Sequence, residues 1–162
     1  EVVIKKVIEL SKARGIITAV DPKRQNFFTF AGVSLFKPNM KELKEGLNMP
    51  NLDATPVQLD KAFTALKEQM AVDVALFTLS ADGVYITADS SSHHIGAIPR
   101  NIADVSGAGD TVLATATCAL ASGLNLEETA FLANLAGGWV CQFPGVVPIT
   151  KDALKIETDK IL

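Results

Sequence analysis

Two glycines flanking one alanine, with an aspartate directly after them, close a polar loop at residues 104–110 and open the apolar stretch 112–120. This is how a helix N-terminus that receives an anion is written. Gly107, Ala108 and Gly109 carry almost no side chain, so backbone N–H groups can approach a ligand, and the helix dipole favours negative charge there. Asp110 then sets a carboxylate beside a site suited to phosphate. Two negative groups side by side serve binding poorly. They serve chemistry if the carboxylate takes a proton from a hydroxyl that attacks a phosphoryl group. Taken alone, the same residues also fit a plain helix start, because Asp is among the best N-caps.

The pattern around this loop alternates helix and strand. Residues 2–14 read as an amphipathic helix ending at Gly15, with Val3, Val7 and Leu10 at helical spacing. Residues 16–20 read as a buried strand stopped by Asp21-Pro22, and 33–36 as a second, stopped by Lys37-Pro38-Asn39. A short helix is expected over 39–47 and a longer one from Thr55-Pro56 to Met70, with Leu59, Ala62, Phe63 and Leu66 on its apolar face. Residues 72–79 form a strong strand pattern, 80–83 a hairpin turn, 84–88 the return strand and 92–98 a third member of that antiparallel patch. Helices follow at 109–122, 127–141 and 150–157. The sum is an α/β fold, a mainly parallel sheet covered on both faces with an antiparallel edge hairpin. At 162 residues the chain can bury one sizeable core.

Composition excludes several classes. A net charge of −3 gives no electrostatic case for nucleic acid or an anionic membrane, and no apolar run is long enough for a membrane span. There is no Walker-type phosphate loop, no Gly-x-Gly-x-x-Gly after the first strand and no Gly-x-Ser-x-Gly elbow. Cys118 and Cys141 lie in apolar helical segments and are expected as buried free thiols, which fits a reduced, cytoplasmic setting. His93 and His94 are adjacent on a strand, so they point to opposite faces and do not share a metal. The first residue, Glu1, falls inside a helical pattern without an initiator Met or signal-peptide grammar, so an N-terminal part is expected to precede it.

Further candidates sit where strands end. In Lys37-Pro38-Asn39-Met40-Lys41-Glu42, the Lys37 cation could neutralise phosphate, Asn39 could bond phosphate or a metal-bound water, and Glu42 could hold Mg²⁺ through water. A Pro turn followed by a solvated helix fits the same letters. Asp21-Pro22-Lys23 is by itself an ordinary strand-ending turn.

Together, Asp104-x-Ser106-Gly-Ala-Gly-Asp110-Thr and Asn39-x-x-Glu42 resemble, in the right order, two signatures of the ribokinase-like carbohydrate kinases, the PfkB family. Ser106 stands where the usual form has Thr. The resemblance spans about 18–147. It implies a three-layer α/β/α sandwich, ATP-dependent phosphorylation of a sugar or sugar-phosphate hydroxyl, and Asp110 as general base. The backbone of Gly107, Ala108 and Gly109 would form the anion hole, with Mg²⁺ near Asn39 and Glu42. It further implies Lys23 near the transferring phosphate. Thr78-Leu79-Ser80-Ala81-Asp82-Gly83 would be the nucleotide turn, although Ser80 replaces the usual glycine. The helix carrying Asn134 and Gly137 would line the adenine, closed by Gly145 and 146–148. Related kinases often hold a monovalent cation such as K⁺ between that loop and Asp104/Ser106. The sugar pocket and any homodimer contact are expected from an N-terminal half outside this chain, residues 1–162 being the nucleotide-binding part. Within the family, Leu126-Glu-Glu-x-Ala-Phe-x-Ala-Asn-x-Ala-Gly137 is most similar to the heptose-7-phosphate kinases of ADP-heptose synthesis. The His-x-Gly-His motif of an accompanying cytidylyltransferase does not occur in these residues. A catalytically inactive nucleotide-binding homologue, a sensor domain without ATP affinity and a pyridoxal-type vitamin kinase remain open.

Overall fold

A computed structural model describes residues 2–161; the two ends of the expected 1–162 unit lie outside the described residues. The elements in order are α1 (Val2–Ala13), β1 (Ala19–Val20), a 3₁₀ segment (Arg24–Phe30), β2 (Leu35–Phe36), α2 (Met40–Gly46), α3 (Pro56–Met70), β3 (Val74–Thr78), β4 (Val84–Ala88), β5 (Ser91–Ile95), α4 (Ala108–Ala121), α5 (Leu126–Val140) and α6 (Lys151–Asp159). The sheet runs β1-β2-β3-β4-β5. β1, β2 and β3 are parallel, and β3, β4 and β5 are antiparallel.

Alternation along the strands divides the core between two faces. Phe36, Ala75, Phe77 and Tyr85 pack with α1, α2, α3 and the 3₁₀ segment. Leu35, Leu76, Val84 and Ile86 pack with Val112, Ala116, Ala130 and Ala133 of α4 and α5. The result is three layers, helices on both sides of one sheet, as the alternation of elements predicts.

Several local expectations change. Among the described residues β1 and β2 keep only two residues each. Just before them Thr18 and Ser34 bond through their hydroxyls, each accepting the other's backbone N–H at 3.2 Å, so side chains replace ladder bonds. Ile16 is exposed rather than buried in a strand, because its N–H turns back to Ser11 O at 2.9 Å. The inward residues of α1 are Ile4 and Ile8; Val3, Val7 and Leu10 face outward. The third strand of the antiparallel patch stops at Ile95. Cys118 is exposed, while Cys141 is buried and has its thiol pKa pushed up by burial and then by the Asp104 charge. His93 and His94 do point to opposite faces: His93 approaches Glu127 of α5, and His94 reaches Asp82 O and the Tyr85 ring. No helix of the described residues is long and apolar enough to cross a membrane.

The hairpin between β3 and β4 depends on Gly83. Its φ is +86°, and a Cβ there would stand 2.1 Å from Ile95 O and 2.6 Å from Ala97 N. Both obstacles are backbone, so neither can move without opening the β4–β5 pair. Gly83→Ala is therefore expected to destabilise the fold by more than about 2 kcal/mol, read from chemical denaturation. A loss below about 0.5 kcal/mol would show that the turn can rearrange.

Candidate active site

Because β1, β2 and β3 are parallel, their C-terminal ends share one edge, where ligands of open α/β sheets collect. Asp21 follows β1, Lys37 follows β2, and Thr78 ends β3. The Lys37 side chain is only 3% exposed, with Nζ 3.3 Å from Asp21 Oδ1. That is ion-pair distance without hydrogen-bond alignment, so the buried Oδ1 accepts no hydrogen bond among the described residues. On its other side, Lys37 Nζ lies 3.5 Å from where a Cβ on Gly109 would stand. A buried ammonium is thus held between a carboxylate and the first turn of α4.

That turn is not capped by a side chain. Gly107 is the N-cap, in the left-handed region at φ 79°, ψ −2°. Asp110 is the third helical residue, exposed, and caps nothing, which removes the plain-cap explanation for it. The Ala108 N–H donates to Val105 O at 3.2 Å and is engaged within the turn, whereas the N–H groups of Gly109 and Asp110 have no backbone acceptor among the described residues. Of the expected set Gly107, Ala108 and Gly109, the middle amide is therefore the one already used.

Asp104 clasps the loops over this turn. Its Oδ1 accepts from the Ser106 N–H (2.9 Å) and Oγ (2.8 Å), and its Oδ2 from the Gly145 N–H (2.9 Å). Hydrogen bonds from the Ser106 backbone, the Ser106 hydroxyl and the Gly145 backbone hold this carboxyl below its usual pKa. Val146 lies against this loop: its Cγ1 is 3.0 Å from the Cβ position of Gly107, so a larger residue there would have to displace it. Asp104 and Ser106, expected beside a monovalent cation, here spend polar atoms on each other and on Gly145.

Asn39 and Glu42 form a capping box at α2. Asn39 Oδ1 accepts the Glu42 N–H, and Glu42 Oε2 accepts the Asn39 N–H, both at 2.9 Å. Glu42 Oε1 instead accepts from Lys23 Nζ at 3.1 Å, and the same ammonium donates to Asp21 Oδ2 at 3.2 Å. Burial works against the charge on Lys23, but hydrogen bonds to Glu42 and then Asp21, with the charges of both, hold its pKa above the usual lysine value.

The remaining expected residues are more dispersed. Thr78 bridges to Asn39, and its N–H donates to Pro38 O at 3.2 Å, joining β3 to the start of α2. Ser80 sits at φ 58°, a conformation that a glycine adopts without strain. Asp82 is exposed in the turn and offers its carbonyl to His94. Asn134 Nδ2 donates to Gly96 O at 2.8 Å, tying α5 to the end of β5. Gly137 is buried, and a Cβ there would stand 2.5 Å from Val112 Cγ2. Its missing side chain, with the small Ala130 and Ala133, lets α5 pack closely on α4.

One constellation escapes sequence reasoning. Arg100 Nη2 pairs with Glu157 Oε2 at 2.8 Å, both side chains nearly buried, and Lys160 donates to the same carboxylate. They line an open cavity of about 560 Å³ with Pro99, Asn101 and Gln142. No motif flags it, because the partners lie on a loop and on α6, far apart in the chain.

Asp104 yields a pH test. Its carboxyl pKa is depressed in the fold, so the clasp contributes stability above the ordinary Asp value near 3.8. That contribution is lost as pH falls through the depressed value. Asp104→Asn should lower the melting temperature at neutral pH and show a smaller further drop between about pH 5 and 2 than the unmodified protein. Parallel pH profiles would show that the clasp contributes nothing.

Comparison with known proteins shows what the chain and its fold are similar to. The model of the pfkB family carbohydrate kinases matches residues 1–152. The bifunctional protein HldE of Methylobacillus flagellatus is 35% identical over 161 residues, covering 97% of this chain and 32% of its own length. HldE of Rhodospirillum rubrum is 40% identical over 138 residues, 83% of this chain and 27% of its own length. The chain thus spans about a third of these relatives' length. Phosphofructokinase-2 from Escherichia coli, in complex with potassium, superposes with a TM-score of 0.83 at 21% identity, over 98% of this chain and 52% of that one. Arabidopsis thaliana ribokinase, complexed with ribose and ATP, gives 0.81 at 23% identity, over 96% and 52%. The fold is that of the ribokinase-like sandwich. By the match of its sequence from residue 1 to 152, the chain belongs to the pfkB family of carbohydrate kinases.

Proposed function

We propose that the protein carrying this chain transfers the terminal phosphoryl group of ATP to a hydroxyl of a sugar or sugar phosphate. Heptose 7-phosphate is the acceptor favoured by the wording of residues 126–137. The observation that carries this is Asp110: a carboxylate in the first turn of α4 that caps nothing, beside unaccepted N–H groups and the buried Lys37 ammonium. The carboxylate takes the proton of the attacking hydroxyl. The N–H groups of Gly109 and Asp110, with Lys37, stabilise the charge spread over the oxygens of the phosphoryl group in flight. Nothing in the arrangement calls for a covalent intermediate; positioning and charge account for the chemistry.

The residues present suit Mg²⁺. The described residues hold no cluster of three or more His, Cys, Asp or Glu that could cage a metal. Mg²⁺ seldom needs one, since it keeps waters and binds through one or two carboxylates plus substrate phosphates. Glu42 Oε1 and the buried, hydrogen-bond-free Asp21 Oδ1 are hard oxygens of that kind, and Asn39 stands beside them. When bound, the ion would neutralise charge on the phosphate oxygens. A monovalent cation near the Asp104 clasp, an acceptor pocket and dimer contact supplied from outside these residues, and a cytoplasmic site of action where ATP is available complete the proposal.

The test is Asp110→Asn in the complete protein. Asn cannot accept the proton, so turnover should fall about 10²–10⁴-fold. Because Asp110 makes no cap, stability should drop by no more than about 1 kcal/mol, from the lost helix-dipole interaction. Binding of ATP should persist. Turnover within about threefold of the original would remove Asp110 as the base and favour an inactive or non-kinase homologue.

A further inference from the structure

The two lysines at the strand ends are built differently. Lys37 is 3% exposed. Lys23 is 66% exposed, with nothing packed over its side chain, while its two partners are held in the wall, Asp21 at 20% and Glu42 at 13% exposure. The Lys23 backbone is fixed as well. Its N–H donates to Asn26 Oδ1 and its carbonyl accepts the Asn26 N–H, both at 2.9 Å. Only the side chain is free to move.

Lys23 holds one oxygen of each carboxylate. Glu42 Oε2 is committed to the Asn39 N–H, so Oε1 is its available oxygen, and Lys23 Nζ sits on it at 3.1 Å. Asp21 Oδ1 faces Lys37, and Lys23 takes Oδ2 at 3.2 Å. An ammonium group and a divalent cation compete for these two carboxylates, because both are positive and the carboxylates are nearly fixed.

We propose that Lys23 is a built-in competitor for magnesium. Its ammonium bridges Asp21 and Glu42, metal binding displaces it, and the freed cation becomes available to nucleotide phosphate while Lys37 stays in place. This rests on the kinase reading and deepens it. The metal would reach Glu42 Oε1 by replacing one cation with another, so apparent magnesium affinity is set partly by Lys23. The cluster of Asp21, Glu42, Lys23 and Lys37 is charge-balanced, which avoids unpaired carboxylates in a partly buried wall.

The experiment titrates the complete protein with Mn²⁺, without nucleotide, and follows free Mn²⁺ by electron paramagnetic resonance. Lys23→Met should bind Mn²⁺ at least about threefold more tightly, as expected for removing two exposed ion pairs. Lys23→Arg should stay near the original affinity, and Glu42→Gln should bind more weakly. A second measurement needs no variant: acetylation of Lys23 by acetic anhydride, read by peptide mass spectrometry, should speed up on adding Mg²⁺, while Lys37 stays unreactive. If Lys23→Met binds no more tightly and Glu42→Gln binds more weakly, Lys23 is not a competitor but the metal position stands. If Glu42→Gln matches the unmodified protein, or no form binds, the metal position itself is wrong and the proposal falls with it.

Discussion

Everything at this edge of the sheet is arranged around one buried cation. Removing an ammonium from water costs several kcal/mol unless an opposite charge compensates. Lys37 cannot avoid that burial. Phe36 before it is in the core, and Pro38 and Asn39 after it turn the chain into α2. The bond from the Lys37 N–H to Val20 O at 2.9 Å keeps β1 and β2 in register and brings Asp21 alongside. That single carboxylate, contacting without a hydrogen bond, compensates the charge incompletely. An anion at the first turn of α4 would finish the job, and Gly109 keeps the space between that turn and the ammonium clear. On the proposed function, the affinity for phosphate follows from folding a lysine inward at the end of β2.

The parts legible in the sequence are those whose signal is local. The glycine-rich turn before α4 announces itself because only small residues at fixed spacing can make it, and β3, β4, α3 and α5 show their periods over at least five residues. What was hidden depends on partners distant in the chain or on competing patterns. α1 carries two apolar stripes, and nothing local says that Ile4 and Ile8, rather than Val3, Val7 and Leu10, meet the sheet. The 3₁₀ segment has no apolar period of its own; Phe27 anchors it edge-on against Phe36. That Val112 fills the space over Gly137 is likewise fixed by how α4 lies against α5 and not by any local pattern. The pairing of Arg100 with Glu157 exists only once α6 has folded back.

Structural and chemical roles overlap unequally among the candidate residues, and this decides what a substitution can mean. Asn39 and Glu42 satisfy each other's backbone N–H at the start of α2, so replacing Asn39 by Ala would cost about 1 kcal/mol through the lost cap before any chemistry is affected. Asp104 and Gly107 hold the loop over α4, and Gly83 holds the hairpin. Loss of activity at any of these would say little about mechanism. Asp110 and Lys23 differ. The first makes no hydrogen bond from its side chain among the described residues, and the second contributes only surface ion pairs. Groups that a fold does not need for its own stability, placed where strand ends meet a bare helix start, are the ones whose presence the chemistry has to explain.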